Sequence, residues 1–166
     1  MSLLDLDALL GQSLATTTAA PDFITPENGV YVQTVTEAKA VKKEVKDKAT
    51  AIKEGKPTEY VSLEFTYQID EIVEQEGQPI KPGSLYSERF MLTAQGLPYF
   101  KARVRDIAIA SGGAAEDVDG LSVGEALAAV KGIQFKTNIK LSKRKVGDNE
   151  VTNVRLANIR AADSVE

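Results

Sequence analysis

The stretch YVSLEFTYQI, residues 60–69, decides the fold. Val61, Leu63, Phe65, Tyr67 and Ile69 alternate with Tyr60, Ser62, Glu64, Thr66 and Gln68. A period of two belongs to an extended strand with one face in a core and the other in water. The same signature recurs on either side. Upstream, GVYVQTVTEAKAV (29–41) is rich in β-branched residues and follows the turn-type cluster Pro26-Glu27-Asn28-Gly29, which marks a first strand. Downstream, a polar turn leads to a third strand over 85–92. Its facing is open, because Tyr86, Phe90 and Leu92 compete with Leu85 and Met91 for the interior. Ile133, Phe135, Thr137, Ile139 and Leu141 alternate with Gln134, Lys136, Asn138 and Lys140 as a fourth strand. Val146-Gly147-Asp148-Asn149 then turns the chain into a fifth, 151–159.

Between the third and fourth strands the period changes. Leu97, Phe100, Val104, Ile107 and Ala108 form one helical stripe, stopped by Ser111-Gly112-Gly113. A second short helix begins at Ser122, where Ser122 and Glu125 have the spacing of a capping box, and ends at Gly132. The order β-β-β-α-β-β predicts a mainly β protein with one or two helices, built as a five-stranded OB-fold barrel. A β-sandwich would need about seven strands. The barrel domain is expected over residues 24–161, after a flexible or helical N-terminal segment (1–23) and before a short tail (162–166). Leu3, Leu4, Leu6, Leu9 and Leu10, with Asp5 and Asp7 between them, form either a frayed or packed helix or an acidic docking peptide.

Composition narrows the function. The chain has no cysteine and no histidine, so disulfides, thiolate metal sites and the commonest general base are unavailable. Lys53-Glu54-Gly55-Lys56-Pro57-Thr58 lacks the earlier glycine of a phosphate-binding loop, and its proline removes a backbone donor. The carboxylates Asp70-Glu71, Glu74, Glu76 and Glu116-Asp117-Asp119 lack ligand-like spacing. No cofactor is expected, and the chain reads as a binding protein, not an enzyme. No apolar run approaches the ~20 residues of a membrane helix, and Asp5 and Asp7 stand where a secretory signal carries basic residues. A cytoplasmic protein without membrane partners is the expectation.

The net charge of −4 conceals segregation. Residues 39–56 carry seven lysines against Glu44, Asp47 and Glu54, and residues 133–146 carry five basic residues and no acid. In an OB-fold the nucleic-acid surface is the face of strands two and three with the loops joining strands one to two and four to five. The first loop supplies Lys42, Lys43, Lys46, Lys48 and Lys53, as a long exposed loop or as two strand ends projecting into solvent. Strand four and its turn supply Lys136, Lys140, Lys143, Arg144 and Lys145. The two basic regions are expected to meet at one mouth of the barrel. Tyr31, Tyr60 and Tyr86, the last near Arg89, are the candidate stacking platforms on solvent faces. The plainer alternative is that the lysines protect sheet edges and the tyrosines girdle the barrel.

Pro26-Glu27-Asn28-Gly29-Val30-Tyr31, Tyr60-Val61-Ser62-Leu63-Glu64-Phe65 and Ser87-Glu88-Arg89-Phe90-Met91-Leu92 carry a resemblance. Across residues 26–160 the chain resembles phage-encoded single-stranded DNA-binding proteins of the OB-fold type. That resemblance implies sequence-independent binding of single-stranded DNA in phage replication and recombination, in the cytoplasm of the infected host. Ala162-Asp163-Ser164-Val165-Glu166 departs from the long acidic tail, ending in an aromatic, of the bacterial relatives. The leucine-rich N-terminal segment is therefore the expected contact for a second subunit or a replication partner.

Overall fold

Antiparallel pairing organises the computed structural model, which describes residues 10–11 and 22–165. Strand β1 (Gly29–Glu44) and strand β2 (Glu59–Gln75) form a long hairpin whose tip carries helix α1 (Lys48–Lys53). The Asp47 carboxylate caps α1, accepting from the Thr50 backbone N–H at 2.9 Å. Strand β3 (Leu85–Met91) pairs with β2. Helices α2 (Leu97–Ala110), α3 (Glu116–Asp119) and α4 (Val123–Val130) connect to strand β4 (Gln134–Val146), and strand β5 (Asn149–Ala161) pairs with β4.

The sheet order is β3-β2-β1-β4-β5. Three consecutive strands joined by hairpins, with a fourth returning beside the first, make a Greek key. The protein is thus mainly β, with five antiparallel strands in one sheet and four helices among the described residues. The sheet is not closed into a barrel. Its edge strands β3 and β5 face each other across an open cleft of about 600 Å³. The β3 edge is taken up at one end by Asp22–Ile24: Leu85 N–H donates to the Asp22 carbonyl at 2.9 Å, and Ile24 N–H to the Leu85 carbonyl at 2.8 Å. Helix α2 packs against β5. Both edges are thereby partly covered, which is how proteins blunt unpaired strands.

The alternation in residues 60–69 does what its period implies, since Leu63, Phe65, Tyr67 and Ile69 are fully buried. Phe100, Val104 and Ile107 of α2 pack onto them, with the Phe65 and Phe100 rings stacked 5.6 Å apart. The capping box forms at α4: Glu125 N–H donates to Ser122 Oγ, and Ser122 N–H donates to Glu125 Oε1. Gly96 is required at the approach to α2, because a Cβ there would sit 2.1 Å from the Met91 carbonyl oxygen.

Several expectations change. The lysine-rich segment 42–57 is neither a plain loop nor bare strand ends; β1 runs into it as far as Glu44, and α1 closes the tip before β2 begins at Glu59. The short helix α3 is an addition. Tyr31 is not on a solvent face but fully buried, as is Gln33, and Val32 between them is buried too. Register shifts between Val30 and Tyr31 and between Val32 and Gln33 break the alternation that placed it outside. The leucine-rich segment lies outside the described residues except for Leu10. No helix among the described residues is long and apolar enough to cross a membrane.

Candidate nucleic-acid interface

The outer face of β1, β2 and β3 follows from the inner one. With Leu63, Phe65 and Tyr67 turned inward, Tyr60, Ser62, Glu64 and Thr66 take the opposite face, which is not the open wet face the alternation predicts: Tyr60 and Glu64 are half-buried, and Ser62 and Thr66 are buried. Cross-strand register then sets Lys43 beside Tyr60, Met91 beside Ser62, and Lys39 and Arg89 on either side of Glu64. A shallow groove of about 240 Å³ is lined by Lys43, Tyr60, Ser62, Arg89, Phe90 and Met91. Glu64, with its side chain 13% exposed, pairs with Lys43 Nζ at 2.6 Å and lies 3.5 Å from Arg89 Nε. Burial works against its ionisation. The hydrogen bonds from Lys43 and Ser62, with the fields of Lys43 and Arg89, outweigh burial and hold its carboxyl below the usual range. The Arg89 side chain remains 62% exposed, so its charge still reaches solvent.

The basic arms prove unequal. On the β1–β2 arm, Lys42 pairs with Glu59 at 2.8 Å and Lys48 with Glu44 at 2.7 Å. Lys46 and Lys53 are exposed without an ion pair among the described residues. On the β4–β5 hairpin, Lys143 lies 3.6 Å from Glu150, while Lys140, Arg144 and Lys145 are exposed and unpaired among the described residues. Lys136 leaves the candidate set: it is buried, and its Nζ donates to the Ser164 carbonyl of the tail.

The two arms do not meet at one mouth. Residues 29–34 of β1 pair antiparallel with residues 139–134 of β4. From that shared stretch β1 runs one way to its tip at α1, and β4 runs the other way to its tip at Gly147. Along the strand direction, the paired stretch of β2 and β3 lies between the two tips.

No protein-family model matches the chain, and no curated protein does.

Of the three tyrosine platforms, Tyr60 alone is on the surface, half-buried in its groove. The Tyr31 hydroxyl donates to the Glu27 carbonyl at 2.7 Å, and burial, then the Glu27 charge, pushes its pKa up to about 12. Tyr86 is also buried, and its hydroxyl donates to Gln33 Oε1 at 2.5 Å. Its facing was open in the sequence; pairing opposite Tyr67 settles it inward. Neither ring can stack on a base. Tyr99, by contrast, is 72% exposed at the start of α2. It falls off the stripe of Leu97, Phe100 and Val104, which is the sequence signal that could have found it.

The acidic clusters have structural partners. Asp70 accepts from Thr34 Oγ1 at 2.5 Å and Gln134 Nε2 at 3.0 Å, stitching β2 to β1 and β4. Asp119 holds Lys101 at 3.0 Å and Arg105 at 2.6 Å. Among the described residues, no group of three or more His, Cys, Asp or Glu is placed to hold a metal ion.

Proposed function

We propose that this chain is a sequence-independent single-stranded DNA-binding protein, a non-enzymatic component of phage DNA replication and recombination in the host cytoplasm. We further propose that its sheet is a partly open barrel of the OB-fold type, a reading supported by the Greek-key order and the helical insert before β4. One observation carries the function: Tyr60 lies in an outer-face groove between Lys43 and Arg89, with exposed basic hairpin tips beyond either end. An aromatic ring offers a platform to any base, and flanking cations track phosphates without reading sequence. Arg89 is well suited to this, because guanidinium both pairs with phosphate and stacks.

The test is a mobility shift with poly-dT. Binding is expected at low salt and lost at high salt, with a slope of about 0.7 per phosphate contact. Absence of a shift at low salt rejects the reading.

A second reading, an assembly adaptor without nucleic-acid binding, draws on a different feature. An apolar cavity of about 460 Å³ lies between α2, α3 and α4, lined by Leu97, Phe100, Val104, Leu121 and Val123. Such a pocket suits the hydrophobic anchor of a protein partner. A poly-dT result of no shift, with a stable fold, would favour it.

A further inference from the structure

Around the edge of β3, past Met91, a second cleft of about 750 Å³ opens between β3, the first turns of α2, and β5. It shares Arg89, Phe90 and Met91 with the Tyr60 groove, so the two form a continuous surface. Its floor carries Tyr99, 72% exposed, and Met91, 50% exposed. Two large apolar groups that line one cleft and are left this open form a surface that the fold itself does not cover.

The charges around the platform favour an anion. Glu88 is already held by Arg103 through Nε and Nη2, each at 2.9 Å, and also accepts from the Tyr67 hydroxyl. Asp106 lies 3.5 Å from Arg103 Nη1. Arg155 lies on β5 on the far side, exposed, its side chain without an ion pair or hydrogen bond among the described residues. Arg89 and Arg155 thus bracket an aromatic platform whose nearby acids are engaged by another residue.

We propose that this cleft is a second nucleotide subsite, with Tyr99 stacking on a base and Arg155 and Arg89 contacting the phosphates on either side. It rests on the single-strand-binding reading above. It adds that the strand continues from Tyr60 over the β3 edge into the opening between β3 and β5. The volume is within the ~300–1,000 Å³ typical of small-ligand sites, enough to admit a nucleotide.

The chain has no tryptophan, so Tyr99→Trp and Tyr60→Trp each create a single fluorescent reporter. On titration with oligo-dT, both emissions should change saturably, with the midpoint given by anisotropy of the labelled oligonucleotide. Tyr99→Ala should weaken binding roughly 5- to 150-fold, and Tyr99→Phe should retain it, because stacking needs the ring and not the hydroxyl. Arg155→Ala should weaken binding and make the salt slope shallower by about 0.7. Melting temperatures close to that of the wild type should accompany these exposed substitutions. If Tyr60→Trp responds while Tyr99→Trp is silent and Tyr99→Ala binds like wild type, the second subsite is wrong and the first survives. If wild type fails to bind oligo-dT, both fall together.

Discussion

Arg103 holds Glu88 in a two-pronged grip, Nε to Oε1 and Nη2 to Oε2, each at 2.9 Å, with both side chains only 15% exposed. The pair ties α2 to β3, and Tyr67 adds a third donor to the carboxylate from inside the core at 2.6 Å. Removing one partner strands the other charge in a site with little water. Arg103→Leu should therefore cost about 3–5 kcal/mol in urea unfolding. The double variant Arg103→Leu/Glu88→Leu should recover much of that, because no orphaned charge remains. A double variant no more stable than the single one would show that the pair is not the source of the loss.

Alkaline pH should unfold the protein through its buried phenols. Burial raises the pKa of Tyr31 to about 12 and lifts those of Tyr67 and Tyr86 well above normal. An unfolded tyrosine ionises near pH 10, so above about that value the unfolded chain has released protons the folded chain keeps. Their contribution is complete below about pH 10 and declines as pH rises toward the folded values. Urea midpoints taken from about pH 8 upward should stay level and then fall beyond about pH 10. Tyrosinate absorbance from these three residues should appear together with loss of the fold. A midpoint indifferent to pH through that window would contradict the burial of these hydroxyls.

Tyr60→Ala should weaken oligo-dT binding by about 1–3 kcal/mol. The ring is half-buried in a surface groove, so the melting temperature should move little. A large thermal loss with unchanged affinity would make Tyr60 a packing residue and return the face to the adaptor reading.

Charge reversal should separate the two basic arms. Arg144→Glu/Lys145→Glu removes exposed cations without ion-pair partners among the described residues, and should flatten the salt slope by about 0.7 per lost phosphate contact. Lys42→Glu/Lys48→Glu alters lysines already paired with Glu59 and Glu44, so its effect on the slope should be smaller. Equal slopes in the two variants would mean that those surface pairs open freely on binding.

Part of the candidate site was legible in the chain. Strict alternation around Leu63, Phe65 and Tyr67 placed Tyr60 on the outer face, and pairing kept it there beside Lys43. Arg89 is exposed. Tyr31 did not, because bulges shift which side of a strand faces inward without changing the residue pattern that suggests it. Lys136 reads as a wet-face lysine, yet the tail folds over it and its amine finds the Ser164 carbonyl. Tyr99 and Arg155 share a cleft only because α2 packs beside β5, a contact between segments distant in sequence.

The local elements follow from the residues themselves: the period of two in β2, the buried stripe of Phe100, Val104 and Ile107 in α2, and the Ser122–Glu125 cap of α4. Each depends on residues within a few positions of one another, where side-chain spacing and backbone hydrogen bonding act directly. That the basic hairpins point to opposite ends, that Tyr31 and Tyr86 belong to the core, and that β3 and β5 stay apart emerges from the folded sheet. Those outcomes depend on long-range strand register, in which a one-residue shift turns every side chain to the opposite face, and no local pattern records the register chosen.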